Sequence, residues 1–189
     1  GNPLRGYVER YVPKGWEFSP FPNPSKMESE ALVQLLRSKS ATGRMAASQE
    51  LLGRPDSAGA VVKVAADRAA LLESRVAAIF TYKQMLGERA TPALMKLASD
   101  PLVKEWALRA LTDRKTELKG LKKDPFVAAL SDTSPRIQLV AAICLGRLGD
   151  VSAASDLLAV TSAGEKAAAT DEASTPPIFR SEVIGPKQT

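Results

Sequence analysis

Three cations that recur along the chain are the side chains best placed to bind a charged partner. Arg44, Arg75 and Lys104 stand at similar intervals, and aspartates recur at the same interval. These aspartates are Asp67, Asp100 and Asp132. Exposed on one face, the cations would form a row able to attract an anionic partner. If the chain is built of repeated segments, the commoner arrangement pairs each cation with an aspartate of a neighbouring segment. The charges would then form a structural ladder and not a binding row.

A second group of cations lies in the stretch 109–123, RALTDRKTELKGLKK. Arg109, Arg114 and Lys115 lead it, and three more lysines follow. Such a stretch could dock phosphates or an acidic partner. Asp113 and Glu117 interrupt the positive charge, and no aromatic residue is interleaved. We therefore favour a solvated connection between repeats, with a possible interaction surface as the alternative.

The composition argues against most kinds of catalytic site. The chain has 189 residues and no histidine, which excludes histidine acid–base catalysis and the commonest metal ligand. The single cysteine, Cys144, lies on an apolar helix face, where a small buried hydrophobe is expected. The sequence therefore predicts no catalytic, metal or cofactor residue and no enzymatic activity for this chain. The net charge of +5 permits an anionic partner without requiring one.

The clearest secondary-structure pattern is a helical hairpin in residues 131–160. Ser134 and Pro135 form an N-cap and first-turn signal, and Gly149 supplies a C-terminal stop. Between them the apolar residues follow the 3.6-residue period of an α-helix. They are Ile137, Val140, Ala141, Cys144, Leu145 and Leu148. One hairpin of this size cannot bury its apolar faces alone, so it requires similar neighbours.

Similar units precede this hairpin. Short apolar segments end near residues 38, 67, 100, 132 and 160, a spacing of roughly 28 to 33 residues that is typical of helical repeats. Each is followed by a longer segment with a polar residue and then alanines, as in Arg75-Val-Ala-Ala. The alanines would allow close helix crossings. The pattern predicts an all-α solenoid, because each unit can pack only on its neighbours. No apolar run is long enough to span a membrane.

These units resemble HEAT repeats, in particular the short lyase-type HEAT-like kind. The runs from Asp100 to Lys104 and from Asp132 to Gly146 match its pattern of an aspartate, a proline turn, Val-Arg, paired alanines and Leu-Gly. Gln138 departs from it where arginine is usual. The resemblance covers roughly residues 28–160 and implies an armadillo-like α-solenoid.

A weaker resemblance concerns the order of segments. A possible strand at 6–12, a proline-containing linker and short HEAT units resemble the junction in large propeller/HEAT/cytochrome proteins of planctomycete-like bacteria. That resemblance would imply a fragment of a multidomain protein in an extracytoplasmic compartment. The chain has no CxxCH haem motif, so no redox activity follows from the resemblance.

The segments that flank the array differ from it. Residues 1–27 contain several prolines and half of the aromatic residues of the chain. We expect them to form an extended segment that caps the first repeat, with a ligand surface or the end of a preceding domain as alternatives. Residues 161–189 are rich in alanine, serine, threonine and proline, which predicts a linker or long loop.

Three functions fit this organisation to different degrees. We favour a non-catalytic scaffold whose longer helices bind a protein or a neighbouring domain, with no strong nucleic-acid binding. A HEAT-like nucleic-acid-binding protein or DNA glycosylase is the first alternative. That enzyme class needs a cationic face, an aromatic pair and a carboxylate, for which Trp106 and Asp113 are the nearest candidates. A bilin lyase-like protein is the second alternative, and it follows only from the family resemblance.

Overall fold

The chain forms a row of paired helices. A computed structural model describes residues 11–17 and 20–160. The eight bounded helices of this part are α1 Ser29–Leu36, α2 Ala41–Leu52, α3 Ala58–Ala66, α4 Leu72–Leu86, α5 Thr91–Leu97, α6 Lys104–Leu111, α7 Asp124–Ala129 and α8 Pro135–Leu148. Residues 154–160 are also helical, and the described residues contain no strand. The predicted all-α class is confirmed.

The helices are arranged in two layers. Consecutive helices pair as α1–α2, α3–α4, α5–α6 and α7–α8, which gives four units. The second helices of the units pack in series, α2 on α4, α4 on α6 and α6 on α8. The first helices pack as α1 on α3 and α3 on α5. Each unit thus contacts its neighbours, as expected of a HEAT-like solenoid, and we call the two sets the first-helix layer and the second-helix layer.

The close stacking of the second helices depends on equivalent alanines. Ala47, Ala78, Ala107 and Ala141 each have 0% of their surface exposed. Each stands three positions after the polar residue that marks its unit, as Ala78 follows Arg75. A methyl side chain at a helix crossing lets the two backbones approach closely. The alanine pattern was therefore a correct guide to the packing.

Helix α8 forms where its sequence pattern predicts it. It begins at Pro135, and Gly149 ends it with φ of 68°, a left-handed conformation that glycine adopts at low cost. The apolar stripe is buried along this helix, including Ala141 and Leu145. The predicted register of α8 is confirmed.

The described part of the N-terminal segment, residues 11–17 and 20–27, exposes its aromatic side chains. The possible strand at 6–12 falls almost wholly outside the described residues. Tyr11, Trp16 and Phe21 are 89%, 42% and 52% exposed. Met27 does pack against the core, and its carbonyl accepts a hydrogen bond of 2.6 Å from Arg54. The segment is therefore anchored at its C-terminal end.

The stretch between α6 and α7 is the longest connection in the array. It contains a 3-10 turn at Lys115–Glu117, and Leu121 packs against the core beside it. The stretch lies between units three and four, as the sequence indicated. None of the helices described is long and apolar enough to cross a membrane.

Candidate interaction site

The aspartates that end the first helices join adjacent units in the same way each time. One carboxylate oxygen accepts the backbone N–H two residues later, at Ala69, Leu102 and Ser134 in turn. The other oxygen forms an ion pair with a cationic side chain of the preceding unit. The pairs are Arg37–Asp67 at 2.6 Å, Arg75–Asp100 at 2.8 Å and Lys104–Asp132 at 2.5 Å. Arg75 and Lys104 thus form the structural ladder that was the commoner expectation, whereas Asp67 pairs with Arg37 and not with Arg44.

The three pairs differ in their exposure to water. Arg75 is 1% exposed and also donates to the carbonyl of Ala65 at 2.8 Å. The Lys104 and Asp132 side chains are 28% and 15% exposed, and Arg37–Asp67 is the most exposed pair. In each case the hydrogen bond from the cation is the main cause that lowers the pKa of the aspartate. All three carboxylates are therefore ionised at neutral pH and hold their cations in the ladder.

The proposed row of Arg44, Arg75 and Lys104 is not an exposed surface. Arg75 does not contribute to an exposed row, because its guanidinium is buried between two units. Arg44 donates to the carbonyls of Ser38 and Lys39, at 2.8 and 3.0 Å, and so stabilises the α1–α2 connection. Arg37, and not Arg44, pairs with Asp67 of the next unit. Lys104 remains partly accessible, but its ammonium group is paired.

Arg109 is exposed and lies in a network of charges on α6. Its guanidinium pairs with Glu105 at 3.1 Å and lies 5.3 Å from the centre of the Trp106 ring. Arg136 of the next unit donates two hydrogen bonds to the same glutamate. The ring and the shared carboxylate orient Arg109, because cation–π contacts and ion pairs both favour one side-chain position.

A cavity of about 280 Å³ opens beside Arg109, between α4, α6 and α8. Phe80 and Ile143 supply apolar walls, and Arg109 and Arg147 supply positive charge. Arg147 donates to the carbonyls of Thr112 and Asp113, at 2.9 and 3.3 Å. No carboxylate of the described residues lies within 4.0 Å of Arg147, so its charge is available to a ligand. The cavity combines apolar contact with two guanidinium groups and the side chain of Asp113.

Cys144 forms part of the floor of this cavity and is 1% exposed. The Thr112 hydroxyl donates to its sulfur at 3.1 Å. Burial raises the pKa of the Cys144 thiol, so the reactive thiolate is disfavoured. The side chain acts as a buried apolar residue, as predicted.

Arg114 and Lys115 lie away from the cavity, on the connection between α6 and α7. Arg114 is 53% exposed and lies 3.4 Å from Glu117, while Lys115 is exposed. Glu117 also pairs, at 2.9 Å, with the buried ammonium of Lys83. This ion pair fixes the connection against α4. The basic stretch is thus a tethered loop, and Arg109 belongs to a different surface from Arg114 and Lys115.

The candidate residues for base-excision chemistry do not come together. Asp113 lines the cavity beside Arg109, whereas Trp106 lines a separate groove with Leu72 and Leu102. No group of three or more possible metal-binding side chains occurs among the described residues. The geometry therefore gives no support to the DNA glycosylase alternative.

Sequence reasoning missed several residues of the cavity, among them Phe80 and Arg147. Phe80 is partly buried on α4, in unit two, and Arg147 is near the end of α8, in unit four. Neither residue belongs to a motif or charge pattern that the sequence analysis recognised. The one available signal was the helical period, because Arg147 lies one turn after Ile143 on the same side of α8.

Comparison with known families supports the repeat assignment. The family model of HEAT repeats matches residues 91–173, which include units three and four. The match covers less than half of the 189 residues, and the stacked helix pairs of units one and two continue the arrangement of the matched region. Comparison with curated proteins gave no match.

Proposed function

We propose that this chain is a non-catalytic scaffold that binds a protein, or a neighbouring domain of the same polypeptide, through its second-helix layer. The observation that carries the proposal is the cavity between α4, α6 and α8. Its walls come from three successive units, so it exists only because the units stack. An extended surface of this kind is how solenoids bind partners without special chemistry.

The side chains around the cavity fit a protein partner. Ile143 and Leu139 of α8 are 48% and 61% exposed, and Arg109 and Arg147 lie at the cavity. Arginine and aromatic side chains are enriched in protein interfaces, and Phe80 also lines the cavity. We place Arg109 inside the interface, with Lys104 near its edge. Arg114 and Lys115 belong to the adjoining loop and would contact only a large partner.

The test begins with a photo-crosslinking amino acid at position 143 and mass spectrometry of the captured protein. The purified partner is then titrated calorimetrically with the wild-type chain and with Ile143→Asp. Loss of a central apolar contact is expected to weaken binding by about tenfold or more. Val151→Asp is the matched control, because Val151 is 88% exposed and does not line the cavity.

Two results would contradict the proposal. One is equal crosslinking from positions 143 and 151, which would show no preference for the second-helix layer. The other is an unchanged affinity of Ile143→Asp for the captured partner. Circular dichroism of both variants shows whether the helices are intact.

A further inference from the structure

A second groove lies on the opposite layer, between the first helices α3 and α5, and has a volume of about 370 Å³. Its apolar lining consists of Val62 and Ala66 from α3 and Ala93 and Leu97 from α5. Three cations also line it. They are Lys63, Arg68 and Lys96.

The positive charge of this groove is only partly compensated by the protein, because Asp100 is the one carboxylate among its lining residues. Within the described residues, no carboxylate lies within 4.0 Å of Lys63 or Lys96. Arg68 is 3.2 Å from Asp100, but the buried Arg75 pairs with the same carboxylate oxygen at 2.8 Å. One carboxylate thus serves two arginines. The groove keeps about three unbalanced positive charges when Arg75 and Asp100 are counted as a neutral pair.

The two lysines face the same groove because of the repeat register. Lys63 precedes Asp67 by four positions, and Lys96 precedes Asp100 by four. Equivalent positions of stacked units lie beside one another, so one lysine on each helix gives a pair across the groove. A solvated helix face ordinarily mixes both signs of charge, whereas α3 and α5 contain no acidic residue. The positive charge is therefore specific to this pair of units.

We propose that this groove binds an acidic peptide segment of a partner protein, with one apolar side chain on the floor and carboxylates beside the lysines. The groove is recessed and has apolar walls, which suits the insertion of a side chain. The cations at its rim complement carboxylates on either side of that side chain. This site is separate from the second-helix cavity and does not depend on it.

Two other anionic partners fit the groove less well. Nucleic acid would be expected to use aromatic rings for base stacking and a longer track of cations, and no aromatic side chain lines this groove. A membrane surface would need apolar side chains that project outward. Val62 is only partly exposed and Leu97 is 7% exposed, so neither can insert into a lipid layer.

The experiment selects a phage-displayed library of random peptides on the immobilised full chain. We expect enriched peptides to carry a leucine or phenylalanine flanked by aspartate or glutamate. Synthetic versions labelled with fluorescein are then titrated by anisotropy against four forms of the chain. These are the wild type, Lys63→Glu/Lys96→Glu, Ala66→Phe, which fills the groove, and the control Lys39→Glu/Lys119→Glu.

The control makes the same change of net charge at exposed lysines that do not line the groove. We expect affinity to fall by about tenfold or more in the groove variants and to stay within about twofold in the control. Binding of the wild type should weaken with added salt, because the rim charges are exposed. Ile143→Asp should bind the peptides normally, which separates this site from the proposed function.

Several outcomes would overturn the proposal. They are a selection that yields no acidic–apolar pattern, peptides that bind the groove variants as well as the wild type, and equal binding of a glutamate-only peptide. Tighter lysine-dependent binding of a single-stranded oligonucleotide, or of vesicles containing phosphatidylserine, would assign the groove to those partners instead. Circular dichroism identifies any variant that fails to fold, and Ala66→Phe then remains as the charge-neutral test.

Discussion

The buried ion pair between Arg75 and Asp100 should be the most sensitive point of the ladder. We consider Asp100→Asn, which removes the negative charge and keeps a side-chain oxygen that can accept the N–H of Leu102. The Arg75 guanidinium is 1% exposed, and Asp100 is its only carboxylate partner among the described residues. Its Nη1 atom has no hydrogen-bond partner there. The variant therefore leaves a buried and uncompensated positive charge.

The expected loss of stability follows from this burial. Removal of one partner from a buried ion pair costs about 3–5 kcal/mol. The Asp100 side chain is 12% exposed, and asparagine can still accept a hydrogen bond, so we expect a value near the lower limit, about 3 kcal/mol. Because domains of this size are stable by about 5–15 kcal/mol in total, the loss should be evident in urea unfolding followed by circular dichroism at neutral pH.

The ladder supplies its own control. Asp67→Asn makes the same chemical change in the Arg37–Asp67 pair, whose side chains are 32% and 35% exposed. Water screens an exposed pair, so we expect a much smaller loss. The double variant Arg75→Met/Asp100→Asn should be more stable than Asp100→Asn alone, because no charge remains buried. If Asp100→Asn is no more harmful than Asp67→Asn, Arg75 is not held as a buried pair and the explanation fails.

Four further predictions follow from the ladder, the core and the loop. The ladder aspartates have lowered pKa values in the folded state. Their contribution to the free energy of unfolding is therefore complete at neutral pH and is lost as the pH falls below about 4 through the folded pKa values. Between pH 7 and pH 3 the urea midpoint of a ladder Asp→Asn variant should decrease less than that of the wild type. Leu145→Asp should lower the melting temperature by several degrees because it buries an unpaired carboxylate, whereas Leu139→Asp, at a 61% exposed position, should leave it within a degree or two. Glu117→Gln should release the α6–α7 connection from its buried lysine and speed limited trypsin cleavage there, and unchanged cleavage would show that the ion pair does not hold the loop. DNA binding should be no tighter than micromolar at physiological salt, and nanomolar binding in anisotropy that is lost in Arg114→Glu/Lys115→Glu would instead support a nucleic-acid function.

Local patterns predicted the features that depend on a single helix. The apolar period, Pro135 and Gly149 were enough to place α8, because a helix and its ends are determined by neighbouring residues. The equivalent alanines also indicated where second helices would cross. The repeat made these inferences stronger, since the same pattern recurred in several units.

Contacts between units could not be predicted in the same way. Arg37 and Arg44 both lie close to the α1–α2 connection, and spacing alone does not show which guanidinium reaches Asp67. Lys83 and Glu117 come from a helix and a distant loop, and no periodic pattern relates them. The cavity on the second-helix layer requires side chains from three units, so its chemistry emerges only after stacking.

The ladder that joins the units also sets the charge of the first-helix layer. The aspartate that follows α3 or α5 forms an ion pair with an arginine of the preceding unit. Its second oxygen accepts a hydrogen bond from the backbone N–H two residues later. That carboxylate is therefore not free to pair with the lysine four positions before it, although this spacing commonly allows ion pairs on a helix. Lys63 and Lys96 remain unpaired as a result. An asparagine in place of Asp100 should accordingly make the groove more positive and strengthen acidic-peptide binding, even as it weakens the fold.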